Sequence, residues 1–552
     1  MAEARLALGE IRSRASTLYA QVMRMALIAP FAGATAYLLV LAANYRSILV
    51  GVFWNSDVAS IPLIAGDVAH HAGGVARVSF ASYYSTFMFD LLTKGLPFHR
   101  GLWEFLSIGL SLAGVVLMAW ASRRAAGKAA GILTFSIGIA VSPLLLYTYF
   151  AFRGPTWFAG MLLGASLVFL ATLPEQTPRW LVAAGVLAVG FIAGSGVASD
   201  PLVAAAGVLP FLGAALAAWL LLPGKASARV AKTALVLVGV AVASALFTYR
   251  FMPTLGFKIV LTQKVQVVAA SRILPNLKMY AEDILAFGNE EYPSTPHGVV
   301  SLPGLVVLLL ALGALASPAR LIPALRRRRD QPTKPASLAL ALHLFFWLST
   351  ALIVSAAFVF SNLPTNGIAT ARYLPPVFFA IAGCVGVWVA DLSWTRIVAA
   401  ATAAVFCVLS MIGVVQFVPL LRAYPLSQAG PRLISYLQAH GLTKGYGGYF
   451  DALGLTWRSD SAVRVVPAVE CGIRPARALC QMGVNTLTSW YDAVPGRSFV
   501  VIGPSYELIG LFDPPPPELG PPAEVDKVEI FTVYVYNYDV GTRLHPALKA
   551  TP

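Results

Sequence analysis

Apolar runs of about 20 residues, separated by short polar segments, recur from residue 26 to residue 420. Each is long enough to form a helix that crosses the hydrocarbon core of a bilayer. Such runs start near residues 26, 102, 131, 157, 181, 201, 233, 299, 338, 374 and 397, which predicts about eleven transmembrane helices. The pattern breaks at three segments too long to be turns: about 44–101, about 250–298, and from about 422 to the end. In the second, "LPNLKMYAEDILAFG" has the period of an amphipathic helix lying along the membrane surface.

The third segment mixes both periods. "RLISYLQAHG" reads as a helix ending on glycine, and "KGYGGYFDALGLTW" followed by "AVRVVPAV" reads as strand, helix, strand. "RSFVVIG" and "KVEIFTVYVYNYDV" are rich in β-branched and aromatic residues and read as strands. "LFDPPPPELGPPAEVDK" reads as a proline-rich, non-helical loop. The expected fold class is a polytopic α-helical membrane protein with a small C-terminal α/β domain. The division is a membrane domain over 1–421 and a second domain over 422–552.

Composition agrees with the pattern. Of the 552 residues, 58% are hydrophobic and only 12% charged, and the mean hydropathy is +0.73. A soluble domain is nearer 45–50% apolar and about 25% charged. The net charge of +15 would suggest nucleic acid in a soluble protein, but here the basic residues cluster in short segments between apolar runs. Arg5, Arg12, Arg14 and Arg24 precede the first run, and Arg123, Arg124 and Lys128 separate the second from the third. Arg179, then Lys225, Arg229 and Lys232, then Arg326 to Arg329, and finally Arg396 continue the series. With eleven helices all of these fall on one side, which the positive-inside rule makes cytoplasmic. The N-terminus is then inside, the C-terminal domain outside the plasma membrane, and no nucleic-acid partner is needed. The first 25 residues lack the layout of a cleavable signal and read as a cytoplasmic lead-in.

"WNSDVASIPLIAGDVAHH" (54–71) follows the first run and concentrates ionisable groups beside the membrane. Asp57 is either a general base aimed at an acceptor hydroxyl or the N-cap of a helix that follows it. Asp67 would lie about 80° around that helix from Asp57, with Pro62 able to bend the path, as a second base, a metal ligand or an anchor for the loop. His70 lies three positions beyond Asp67, so the two share a face. They form either a hydrogen-bonded pair or part of a divalent-metal site; two ligands make an incomplete site, so the metal is not favoured and no cofactor is implied. Arg372 in "NLPTNGIATARYLPPVFF" either pairs with a phosphate or anchors a helix at the interface. Arg153 in "FRGPTW" is another cation expected on the same side. Lys258, Lys264, Arg272 and Lys278 line the second long segment, where Glu282 and Asp283 can neutralise some of them.

Cys471 and Cys480 in "VECGIRPARALCQ" are either a disulfide or two free thiols, while Cys384 and Cys407 lie in apolar runs and read as buried packing residues. There is no P-loop, dinucleotide glycine fingerprint, HExxH or paired CxxC, so nucleotide-driven transport and zinc hydrolysis lack support.

With these features the chain resembles the GT-C glycosyltransferases, polytopic enzymes that use polyprenyl-phosphate sugars. The resemblance rests on Asp57 in "NSD", on the amphipathic "SFASYYSTFMFDLLTKGLPFHRGLWEF", and on "RYLPP" from Arg372 to Pro376. The C-terminal segment resembles the periplasmic tails of actinobacterial members. The resemblance implies that Asp57 is the general base of an inverting transfer. The donor phosphate would be held by Arg372 with help from Lys258, Lys264 and Arg272, and no sugar nucleotide is required. The partners implied are a polyprenyl-phosphate-linked sugar, a glycan or glycolipid acceptor, and membrane lipids. Many relatives carry an acidic residue after the first-loop aspartate; here Val58 stands there, which weakens any inference of metal dependence. Two rivals remain: a lipid-linked glycan polymerase or ligase, which would lean on outer arginines and histidines, and a polysaccharide or lipid transporter. "LVAAAGVLPFLGAALAAWLLL" and "TALVLVGVAVASALF" show almost none of the polar positions a transport lumen would need.

Overall fold

The computed structural model describes residues 26–49, 51, 56–69, 73–79, 100–146, 153–260, 265–288, 302–322, 335–364, 371–388, 393–423, 425–471, 477–503, 511 and 513–547. Helix α1 (Ala26–Leu49) is followed by α2 (Ser56–Ala69) and strand β1 (Ala76–Ser79). Then come α3 (Arg100–Ala126), α4 (Lys128–Ile139), α5 (Gly154–Thr172), α6 (Arg179–Ser199), α7 (Leu209–Leu221) and α8 (Lys225–Phe251). Strand β2 (Phe257–Val260) leads into α9 (Ala270–Leu285), α10 (Leu302–Ala316), α11 (Pro335–Val359), α12 (Pro375–Trp388) and α13 (Ser393–Ala423).

Among the described residues, nine helical stretches are long and apolar enough to cross a membrane, and the chain is a multi-pass membrane protein. Their outward faces agree: α8 exposes Leu235, Val242, Leu246 and Phe247, each more than half accessible. An apolar face of that extent is stable against lipid and not against water.

The predicted runs near 131 and 374 instead form α4, of 12 residues, and α12, of 14 residues. At 1.5 Å per residue these reach about 18–21 Å, short of a hydrocarbon core of about 30 Å. Both are largely enclosed by the other helices. Every residue of α12 from Pro375 to Val387 is buried, and the two helices touch each other. A Cβ added at Gly386 would lie 2.2 Å from Thr134 Oγ1 and 2.7 Å from the Ala130 carbonyl. The same device joins α6 to α8, where a Cβ at Gly194 would lie 2.1 Å from the Ala241 carbonyl. Small residues at such crossings let backbones approach where lipid supplies no hydrophobic drive. The helix predicted in "LPNLKMYAEDILAFG" forms as α9. It docks against the end of α11, with Asn276 Nδ2 donating to the carbonyls of Val359 (2.9 Å) and Ser361 (3.0 Å).

The C-terminal segment begins with α14 (Pro425–Ala439) and continues through β3 (Lys444–Gly447), α15 (Tyr449–Arg458), β4 (Arg464–Cys471), β5 (Ala478–Gln481), β6 (Thr486–Leu487), β7 (Ser498–Ile502), β8 (Glu524–Val528) and β9 (Phe531–Tyr536). One sheet has the order β5-β4-β3-β7-β9-β8, with β4, β3 and β7 parallel. The outer strands β5, β9 and β8 run antiparallel. In β9 the alternation predicted from sequence is visible: Phe531, Val533 and Val535 are buried against Leu433 and Leu437 of α14. The proline-rich stretch was read as loop through Lys527, but its last residues form β8, which turns into β9 at Glu529 with φ 57°. Cys471 and Cys480 form a disulfide between neighbouring strands, Cα to Cα 5.9 Å, while Cys384 and Cys407 are buried and free.

A second, three-stranded sheet ties the molecule together. Its order is β2-β1-β6, so one strand comes from each of the three long segments outside the spans. β1 runs parallel to β2 and antiparallel to β6. These strands of two to four residues show no period that sequence analysis could detect, and they fix where the C-terminal segment sits on the bundle.

Candidate functional site

The helix expected after "NSD" forms as α2, with Asp57 in its first described turn; Ser56 before it is already helical, so Asp57 is not its N-cap. A carboxylate there is favoured by the helix dipole. Two anchors from the C-terminal segment hold this turn. Ser56 Oγ donates a short hydrogen bond to the Tyr449 carbonyl, and the Leu453 amide donates to Ser56 Oγ at 3.3 Å. The start of α15 therefore rests on the start of α2. That places Asp57 at the carboxyl end of the parallel strand β3, the position where α/β sheets present ligand-binding groups.

The Asp57 carboxylate accepts from two side chains of that segment. Tyr449 Oη donates to Oδ1 at 2.5 Å, and Asn485 Nδ2 approaches the same oxygen at 3.4 Å. Asn485 Nδ2 also donates to Tyr449 Oη at 2.7 Å. From the bundle come two arginines whose positive charges act on Asp57, Arg372 and Arg153. Burial raises the Asp57 pKa above its ordinary value, and Tyr449, Arg372, Asn485 and Arg153 oppose this without cancelling it. A carboxylate kept more basic than usual is suited to accept a proton.

The two arginines share one aromatic ring. The guanidinium carbon of Arg372 lies 5.1 Å from the centre of the Tyr373 ring, and that of Arg153 lies 5.3 Å from it. Arg372 is exposed and Nη2 donates to Tyr373 Oη at 3.1 Å. Arg153 is buried just ahead of α5, and its Nη1 lies 3.7 Å from Asp200 Oδ2 at the end of α6. Asp200 also accepts from the Leu202 amide at 3.0 Å and from Thr156 Oγ1 at 3.4 Å. The starts of α2, α5, α12 and α15 and the end of α6 thus meet at one end of the bundle.

Asp67 belongs elsewhere. It accepts from Arg464 on β4 through both guanidinium Nη atoms, Nη1 at 2.5 Å and Nη2 at 3.2 Å, and from Trp490 Nε1 at 2.6 Å. It anchors the C-terminal segment. His70 and His71 lie outside the described residues, as does Lys264. Among the described residues no three His, Cys, Asp or Glu side chains gather as metal ligands. Lys258 is exposed on β2, directly beside Arg77 of β1 in the parallel register. Arg272 is exposed in the first turn of α9. On the same helix Lys278 pairs with Glu282 at 3.9 Å.

Sequence reasoning missed Tyr449, Asn485, Arg77 and Asp200. The strand–helix–strand reading of "KGYGGYFDALGLTW" held the one usable signal, because it places Tyr449 at the carboxyl end of a strand. Nothing in the sequence brings Asn485 to Asp57.

No protein-family model matches the chain, and no curated protein matches it. Solved structures do. The crystal structure of ArnT from Cupriavidus metallidurans bound to undecaprenyl phosphate is similar with a TM-score of 0.48 at 13% identity, covering 90% of this chain and 97% of that one. The apo state of the same protein gives 0.49 at 12% identity, covering 93% and 99%. The oligosaccharyltransferase of Archaeoglobus fulgidus in complex with zinc and sulfate gives 0.42 at 11% identity, covering 84% of this chain and 68% of that one.

Proposed function

We propose that this chain is an inverting glycosyltransferase of the GT-C type, moving a sugar from a polyprenyl-phosphate donor to a glycan or glycolipid of the cell envelope. The observation that carries the reading is Asp57: a partly buried carboxylate with a raised pKa, flanked by two arginines at one mouth of an apolar bundle. The polyprenyl chain stays in lipid, which the apolar outer faces of the helices suit. Its phosphate meets Arg372, with Arg153 behind it. In the transfer, the acceptor O–H proton passes to Asp57 while the acceptor oxygen attacks the anomeric carbon from the face opposite the phosphate. The bond to phosphate breaks with inversion, and the phosphate leaves with the electron pair, its charge met by the guanidinium groups.

Lys258 and Arg272 are second-line candidates for the donor phosphate, with Lys264 retained from the sequence. Lys258 gains from its neighbour. Like charges opposite one another on adjacent strands repel, and an anion between Lys258 and Arg77 would relieve that. The site end of the bundle is read as the outer face of the plasma membrane, since Arg123, Arg124, Lys128, Arg179 and Lys225 lie at the other ends of their helices. A hexose and a pentose donor fit this chemistry equally.

The test uses purified full-length protein with a panel of polyprenyl-phosphate sugars and mass spectrometry of the products. Asp57→Asn and Asp57→Ala should lower transfer by about 10²–10⁴-fold while protein yield and donor binding persist. Wild-type turnover in both variants sinks the reading. Activity that survives Asp57→Asn but is lost on His70→Ala would instead favour a polymerase or ligase.

A further inference from the structure

Tyr449 makes two separable contacts with α2. Its backbone carbonyl takes the Ser56 hydroxyl, and the Leu453 amide closes that contact from the next turn. Docking of α15 on α2 is therefore served by backbone groups that any residue at 449 would supply. The phenol does something else. It donates its proton to Asp57 Oδ1 at 2.5 Å.

The phenol is itself aimed. Asn485 Nδ2 donates to Tyr449 Oη at 2.7 Å. With that side of the oxygen filled, the phenol proton is directed to the carboxylate. Asn485 is buried and holds a left-handed backbone at φ 52°, a conformation that asparagine tolerates better than most residues but that still carries strain. The neighbouring Thr486 and Leu487 form β6, whose pairing with β1 fixes this loop against the first outer segment. Strain held by a sheet contact, an oriented amide, an oriented phenol and a carboxylate form one chain of constraint.

We propose that Tyr449, aimed by Asn485, is a positioning residue that the C-terminal segment lends to the reaction: it fixes the plane of the Asp57 carboxylate so that the acceptor proton is taken from one direction. This rests on Asp57 being the base. The field around Asp57 supports it. Among the described residues, the charged and titratable groups acting on Asp57 include Arg372 from the lead-in to α12, Arg153 from the lead-in to α5, and Tyr449 beside Asn485 from the C-terminal segment. On its own helix, Asp67 is paired with Arg464. Burial drives Asp57 towards its protonated, unreactive form, and the Tyr449 hydrogen bond is foremost among the influences that oppose it.

The experiment compares full-length wild type, Tyr449→Phe, Asn485→Ala and Asp57→Asn in transfer from a polyprenyl-phosphate sugar across a pH series, with thermal unfolding of each. Tyr449→Phe should lower kcat by on the order of ten- to a hundred-fold with little change in donor KM. It should also move the acid limb of kcat/KM to higher pH, because the base loses a donor that favours its ionised form. Asn485→Ala should move both in the same direction by less. A Tyr449→Phe protein with wild-type kcat and an unmoved acid limb overturns the inference, and so does one that only unfolds earlier with its pH profile unchanged. If Asp57→Asn also remains inactive, the base reading stands alone. An active Asp57→Asn removes both.

Discussion

Two arginines share the Tyr373 ring, yet they stand in different surroundings, and their removal should be told apart. Arg372 is exposed and lies against its neighbour Tyr373. Arg372→Ala should raise donor KM by roughly 10- to 100-fold and leave thermal unfolding unchanged. Arg372→Lys should recover only part of the loss, since an ammonium cannot hold a phosphate through two parallel hydrogen bonds. Arg153 is buried beside an equally buried Asp200, their side chains 9% and 8% exposed. Arg153→Ala leaves that carboxylate without its cation, and removing one partner of a buried pair costs about 3–5 kcal/mol. It should therefore reduce the yield of folded protein as well as activity, read by thermal unfolding in detergent beside donor KM. At this scale Asp57 and Arg372 stood out in the sequence, although each also had a structural use, as a cap or an interface anchor, and the resemblance chose between them. Tyr449 did not, since it lies 392 positions from Asp57 and an aromatic in an α/β segment reads as core. The N-cap alternative for Asp57 fails, because Ser56 before it is already helical.

Elements with a long period were the legible ones. Eleven apolar runs were recognisable from their length alone, and so were β3, α15, β4, β7 and β9 from the switch between periods. The three strands that join the outer segments were not, because a strand of two to four residues has no period to show. Nor did hydrophobicity show that the helical parts of α4 and α12 would be short: they are as apolar as their neighbours, at 12 and 14 residues. The β4–β5 connection is the one element whose stability chemistry can remove without mutation. The disulfide closes a loop of nine positions between Cys471 and Cys480, and the chain-entropy account gives such a loop about 2–3 kcal/mol. Reductant should lower the unfolding temperature of the C-terminal segment accordingly and leave the buried thiols Cys384 and Cys407 unlabelled by maleimide. An unchanged melting profile after verified reduction would show that the neighbouring ion pair of Arg477 with Glu470 and the strand pairing suffice.

Across the whole molecule the candidate site belongs to neither part alone. The bundle supplies Arg153 and Arg372, α2 supplies the carboxylate, and the C-terminal segment supplies Tyr449 and Asn485. Helix α2 is grasped at both ends, at Ser56 and Asp57 by α15 and at Asp67 by Arg464 and Trp490. Asp67 thus acts on the chemistry only through the rigidity of the helix it shares with Asp57. Arg464→Ala removes a two-pronged, partly exposed ion pair, its side chains 30% and 21% accessible, so the loss of docking should be modest, about 1–2 kcal/mol. Transfer should fall with it although Arg464 does not contact Asp57. Asp67→Ala should do the same, with the further loss of the Trp490 hydrogen bond. If both act through one contact, the double variant should be little worse than Asp67→Ala, whereas independent roles would multiply. The measurement is kcat beside the rate of proteolysis of the C-terminal segment. A fall in kcat that tracks faster proteolysis places Asp67 in docking. A fall with proteolysis unchanged would return Asp67 to the reaction itself.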